Sequence, residues 1–274
     1  MAKYGERELR LELERIAMTG FTAPCDIDMD ALTESMLEHI GSVDSVLRDD
    51  LIYRTFAAFI SNNTLDASRV TEILEECLER DCMGYRIGEP DEDAVFRRSF
   101  SILLTALILK RNSREPFLDE RTIRETHESL CRVYENERNV KGYYEGKGWA
   151  HTAAHTADAF EQLVMSEYIG TAEQERILRL ISGKFRQHEY YFIDGEDERT
   201  AAVIGVVLEK NKGMKTGILN WIDGLVRYEK PKTNPEASIV KGNLRNLLRS
   251  VYFKCEDPEI RRFIEDRLTN LAFT

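Results

Sequence analysis

Apolar residues recur three and four apart along nearly the whole chain, and that rhythm confines the fold to packed α-helices. Val46, Leu47, Leu51, Phe56, Phe59 and Ile60 follow it, as do Val70, Ile73, Leu74, Cys77 and Leu78, and again Ile177, Leu178, Leu180 and Ile181. With about 100° of rotation per residue, each set gathers on one face of a helix, where a core can cover it. No stretch sustains the apolar–polar alternation that a half-buried strand needs. All six prolines, Pro24, Pro90, Pro116, Pro231, Pro235 and Pro258, fall between the periodic segments. Proline inside a helix removes a ladder hydrogen bond, so this placement is itself a helical signature. Helix starts are marked as well. Asp257-Pro258-Glu259 joins an N-cap to a first-position proline, Thr171 and Gln174 have capping-box spacing, and Asn234-Pro235-Glu236 and Asp119-Glu120 read similarly.

The rhythm predicts helices over residues of about 4–18, 30–40, 43–61, 66–81, 92–111, 119–138, 149–168, 172–187, 197–210, 215–228, 235–252 and 258–272. Short connections make successive helices antiparallel, and pairing them gives hairpins spaced roughly 40–55 residues apart, near the period of HEAT-like arrays. The expected fold is all-α, a right-handed α-α superhelix of HEAT-like helical hairpins; a compact helical bundle is the alternative. The helices opening at Ser45, Asp93, Trp149 and Glu198 then line one side. With no low-complexity linker, residues 1–274 read as a single α-helical domain, with 1–28 an N-terminal helical extension.

The net charge of −11 argues against generic binding to phosphate backbones or anionic lipid. The balance is uneven, however. Residues 210–254 hold ten basic side chains against three acids. Lys241, Arg245 and Arg249 drift slowly around one helix face there, which leaves nucleic acid or an acidic partner open. The most apolar run, residues 102–109, is far shorter than the roughly 20 residues of a membrane span. Residues 1–15 lack the apolar core of a signal peptide. The cysteines, Cys25, Cys77, Cys82, Cys131 and Cys255, are odd in number and contain no C-x-x-C pair, with Cys77 and Cys82 expected on one helix. Reduced, mostly buried thiols in the cytoplasm are the simplest account.

The most concentrated chemistry lies in Gly148-Trp149-Ala150-His151-Thr152-Ala153-Ala154-His155-Thr156-Ala157-Asp158. On a helix over 149–168, and with His151 at zero, His155 lies at about +40°, Asp158 at about −20° and Gln162 at about +20°. These four form one polar stripe edged by alanines, which let a neighbouring backbone come close. Two imidazoles at i and i+4 can share one divalent transition metal, the candidate cofactor, with Asp158 as third ligand or orienting group. The same spacing suits a general base with its orienting acid. Histidines facing other helices also bridge carbonyls and carboxylates without any further role. Trp149 projects away from the stripe and is expected to be a core anchor.

Two further polar knots stand out. Asp194-Gly195-Glu196-Asp197-Glu198-Arg199 precedes an apolar helix, where the dipole favours acids. Glu196 or Asp197 is a candidate to complete a site with His151 and His155, if that helix is the inner neighbour of the His helix. Arg48-Asp49-Asp50 and Arg97-Arg98 fall on predicted inner helices and read as ties between repeats, or as anion contacts if they line a groove. Gly142, Gly146 and Gly148 enter the His helix. No phosphate-loop, dinucleotide or nucleophile-elbow pattern occurs.

Gly148-Trp149-Ala150-His151 with Ala154-His155 and Ala157-Asp158 resembles the signature of an uncharacterised bacterial family, the domain of unknown function 2785. Leu47-Arg48-Asp49-Asp50-Leu51, Val95-Phe96-Arg97-Arg98-Ser99-Phe100 and Glu196-Asp197-Glu198-Arg199-Thr200-Ala201 match it too, with Thr200 standing where leucine is expected. The resemblance spans residues of about 45–205. It implies an all-helical bacterial protein and one shared site for the separate knots, and it brings no activity. Two functions follow as expectations. One is a helical-repeat protein whose inner groove binds a protein segment or small anionic ligand through Arg48, Asp49, His151, His155, Asp158, Glu196, Asp197 and Arg199. The other is a metal-dependent hydrolase-like enzyme using His151, His155 and Asp158.

Overall fold

A computed structural model describes residues 4–89, 91–228 and 231–271. Pro90, Glu229, Lys230 and the end of the last expected helix lie outside the described residues. The fold is all-α. The helices are α1 (Glu6–Met18), α2 (Met29–Glu38), α3 (Arg54–Ser61), α4 (Ala67–Leu78), α5 (Ala94–Arg114) and α6 (Glu120–Asn136). They continue as α7 (Thr152–Leu163), α8 (Thr171–Phe185), α9 (Glu196–Lys210), α10 (Lys215–Val226), α11 (Asn234–Lys254) and α12 (Pro258–Asn270). Most of their start signals act as the chemistry requires, although α11 is capped by Thr233, one residue before Asn234. Asp119 accepts from Thr122 N–H, Asp257 accepts from Glu259 and Ile260 N–H, and proline occupies the first turn of α11 and α12. The start of α8 differs from expectation. Its N-cap is Gly170, whose N–H is taken by Glu173 at 3.1 Å.

Alternate helices pack on one another. α5 lies on α7, α7 on α9 and α9 on α11, while α6 lies on α8, α8 on α10 and α10 on α12. From α3 the odd-numbered helices thus form one layer and from α6 the even-numbered ones a second, joined by contacts such as α6 with α7 and α11 with α12. Buried Ala153, Ala154, Ala157 and Ala159 on α7 allow α5 and α9 to approach it closely. One apolar cluster runs from Leu9 to Leu271. Among the described residues no helix is long and apolar enough to cross a membrane.

Three local departures from the helical expectation shape the site. The segment Val46–Tyr53, inside the helix expected over 43–61, is π-helical and runs into α3. Residues 143–149 form a small antiparallel hairpin, β1 (Tyr143–Tyr144) with β2 (Gly148–Trp149), where the helix was expected to begin. Finally, α4 stops at Leu78, so Cys77 and Cys82 do not share a helix. All five cysteines are free thiols, four of them buried.

Candidate functional site

The hairpin delivers the His helix, and Arg48 holds the hairpin. Gly148 takes φ +81, and a Cβ there would stand 2.9 Å from Ser45 Cβ and 3.1 Å from Arg48 Nη2, so only glycine passes. The fully buried Arg48 guanidinium donates to the Ser42 and Lys147 carbonyls, each at 2.7 Å, and lies 4.2 and 4.7 Å from the Phe96 and Phe100 rings. Asp49 Oδ1 sits 2.7 Å from Arg48 Nε. Burial pushes the Asp49 carboxyl up to about 6, with Arg48 opposing. Arg48 and Asp49 therefore stand behind the hairpin and support it.

His151 is the N-cap of α7, at φ 52 and ψ 32, in the left-handed region. It has left the helix, and the four-residue stripe is broken at its first member. Trp149 is not a core anchor: it is 42% exposed, and its ring stacks on His151 with centroids 4.4 Å apart. The strand β2 turns the indole outward, whereas a helix would have turned it inward. His155 remains on α7 and buried. Its Nδ1 meets Ser99 Oγ at 2.8 Å, Ser99 Oγ also contacts the Ala150 carbonyl, and the His151 and His155 rings meet edge to face at 5.9 Å. Asp158 accepts from Arg199 Nη1 at 2.7 Å across the α7–α9 contact, and both are partly exposed. Burial pushes Asp158 up to about 6 against the pull of Arg199.

Deeper in, a second cluster forms. One ligand atom each of His151, Asp194 and Glu196 lies within 4.8 Å of the others. Glu196 opens α9 and is 1% exposed; its Oε2 accepts from Asp194 N–H at 2.9 Å, while Oε1 is buried with no partner. His151 Nε2 is likewise buried with no partner. Asp194 accepts from Tyr190 O–H at 3.0 Å. Gly142 closes one side: its carbonyl accepts from the Ala150 and His151 N–H groups, and a Cβ there would collide with Asp194 Oδ2 and reach 3.1 Å from His151 Cδ2. The imidazole Cδ2 and Asp194 Oδ2 thus both border Gly142. Burial drives His151 down to about 4, helped by Arg199 and opposed by Asp194, and it raises Glu196. His155, wholly buried, is held well below the usual histidine range by burial, with Arg199 and His151 adding. Both imidazoles are therefore neutral near pH 7, the form that offers a lone pair. The hydroxyls of Tyr134, Thr152 and Thr200 are also buried without partners.

A family model described as "Protein of unknown function (DUF2785)" matches residues 83–253. The chain belongs to this family. No curated protein and no solved structure matches it. The DUF2785 match runs from the turn before α5 to the last turn of α11, so it contains His151, His155, Asp158, Asp194, Glu196, Asp197 and Arg199. Arg48 and Asp49 precede it.

The candidate residues thus divide into three groups. His151 and Glu196 come together, Asp158 and Arg199 form a separate pair, and Arg48 with Asp49 backs the hairpin. Asp197 turns away to accept from Ser250 Oγ at 2.5 Å. Asp194 belongs to the acidic knot and Gly142 to the entering glycines, neither assigned to the site from the sequence, and Tyr190 and Ser99 were not among the candidates read from it. Asp194 carried a usable signal, two residues before Glu196 across a glycine; the others depend on long-range packing. Part of the basic charge of 210–254 is paired with acids, Lys215 with Asp257 and Glu259, and Arg227 with Asp223. Lys241 and Arg245 have partners as well.

Proposed function

We propose that this DUF2785 protein is a cytoplasmic helical-repeat binding protein whose inner layer takes a small anionic ligand or an acidic protein segment at the α7–α9 junction. The layered packing of alternate helices supports reading it as a right-handed α-α superhelix of HEAT-like hairpins. The apolar cluster continuous from Leu9 to Leu271 supports a single domain over 1–274, with 1–28 as a helical extension. Five free thiols suit a reducing compartment.

The observation that carries the reading is the set of buried polar atoms without partners on the elements that meet at this junction: His151 Nε2, Thr152 Oγ1, Glu196 Oε1 and Thr200 Oγ1. Each such group costs about 1–3 kcal/mol while unpaired; the two hydroxyls can donate to an anionic group, whereas Glu196 Oε1 accepts and calls for a donor or a cation. Trp149, stacked on His151, and Arg199, whose Nη1 holds Asp158, are both partly exposed; an anionic ligand would meet the indole face and share the guanidinium with Asp158. Two clefts of about 820 and 630 Å³ lie elsewhere, between α9 and the α11–α12 turn and between α6 and α8.

Trp149 supplies the assay, because the other tryptophan, Trp221, is buried. Titrating the full chain with phosphate, citrate and an acidic peptide is expected to change Trp149 emission and raise the melting temperature, and R199Q is expected to weaken both responses about tenfold or more. No response to any of the three, or an equal response in R199Q, refutes the reading. A metal-dependent hydrolase built on His151, His155 and Asp158 is the second reading, favoured by the unpartnered His151 Nε2; against it, Ser99 engages His155 and Arg199 engages Asp158.

A further inference from the structure

We propose that His151, Asp194 and Glu196 bind a divalent first-row transition ion, with an open coordination position facing the α7–α9 junction. The inference deepens the ligand-site reading of that junction, on which it rests. It names a ligand set different from the stripe that helical spacing suggested, because the left-handed turn at His151 swings the ring off the His155–Asp158 line and toward Asp194.

Four observations converge. Three donor atoms of the right chemistry, one imidazole nitrogen and two carboxylate oxygens, already lie within 4.8 Å of one another. Zinc takes imidazole at about 2.0–2.1 Å and carboxylate at about 2.0–2.2 Å, which sets neighbouring tetrahedral ligands roughly 3.4 Å apart; closing the separations therefore needs at most about 1.4 Å of side-chain movement. Second, the two most buried donors, His151 and Glu196, each keep one atom, Nε2 and Oε1, buried with no protein partner. Third, among the described residues the buried Glu196 carboxylate has the Asp194 N–H on Oε2 and no partner on Oε1, although buried carboxylates are ordinarily paired or bound to a cation.

Fourth, the remaining groups are arranged as a supporting shell. Tyr190 O–H fixes one Asp194 oxygen, and Asp194 N–H fixes Glu196 Oε2, leaving Oε1 for the ion. The Gly142 backbone presses against Asp194 and the imidazole where any side chain would intrude. Three protein ligands with a vacant position are the pattern of sites that also hold water or an exogenous anion, whereas structural zinc is closed by four. An ion here would give the carboxylate or phosphate admitted past Arg199 a second, stronger point of attachment. The mixed nitrogen–oxygen set suits zinc or manganese better than calcium, which takes oxygens alone.

The test uses the full chain, stripped with a chelator and dialysed. Calorimetric titration with Zn²⁺ and separately Mn²⁺, and the visible spectrum on adding Co²⁺, are expected to show one equivalent bound by the wild type. E196Q and D194N keep shape while removing a charged donor. Each is expected to lose at least about 100-fold in affinity and the cobalt spectrum, with circular dichroism unchanged. G142A, which fills the space beside Asp194, is expected to lose binding too. Failure of the wild type to take up any of these ions near one equivalent overturns the proposal, as does undiminished binding in both charge variants. If no metal binds but the anionic probes still act through Arg199, the ion falls and the ligand site stands. If neither binds, both fall.

Discussion

At the scale of single residues, Lys184 carries an electrostatic burden that can be read directly. It is buried on α8, donates to the Glu137 carbonyl at 2.5 Å and lies 5.0 Å over the Tyr134 ring. Burial pulls its ammonium down to about 8, with Glu137 and Glu189 opposing. Below pH 8 it is charged in both folded and unfolded chains, and the folded state bears the desolvation. Between about 8 and 10.5 the unfolded chain holds a proton that the folded one has released, so stability contributed by this site rises with pH. Urea unfolding of the wild type and K184M across that window is expected to differ by a term growing at up to about 1.4 kcal/mol per pH unit. A flat difference contradicts the burial account. Nothing in the spacing of α8 announces this lysine, since its apolar neighbours and a bland surface lysine share the same helical pattern.

At the scale of elements, the caps and helices were legible because their causes are local. Asp119, Asp257 and the prolines of α11 and α12 act within one turn of themselves. The hairpin and the π-helical segment were not. Two residues per strand are too few for alternation to register, and a π turn over Val46–Tyr53 leaves the apolar spacing almost intact. The angular argument for His151 failed for the same reason, since it assumed helix where the chain turns left-handed. Asparagine tolerates that conformation and caps a helix well. H151N is therefore expected to stay within about 1 kcal/mol of wild-type stability while losing the Trp149 stack and the ligand. A loss beyond about 3 kcal/mol on urea unfolding would make the imidazole a structural tie.

At the scale of the whole molecule, the site is assembled by parts far apart in sequence. Asn243 on α11 is fully buried, accepts from Phe192 N–H at 2.9 Å and donates to the Tyr190 carbonyl at 3.0 Å. Asn246 reaches the Tyr191 hydroxyl at 3.2 Å. Helix α11 thereby fixes the loop that carries Tyr190 and Asp194. N243A is expected to cost about 1–3 kcal/mol, to raise hydrogen exchange at residues 190–194, and to weaken binding at the junction without touching it; unchanged exchange there would detach α11 from the site. The sequence predicts the helix over 235–252 from its period and the Asn234-Pro235-Glu236 start. It could not show that a mid-helix asparagine faces a loop some fifty residues earlier.

The clasp of Arg48 on the Lys147 carbonyl joins residues 99 apart in the chain. The helical pairs need much shorter loops closed before their contacts form, so they can assemble first, and the chain closure that seats the hairpin comes after them. A contact made late is absent from the folding transition state. Removing it in R48M should speed unfolding and leave the refolding rate nearly unchanged, a signature visible in the two arms of a denaturant chevron. The guanidinium that supports the His helix thus acts as a latch on kinetic persistence, setting how long the finished site survives rather than how fast it forms.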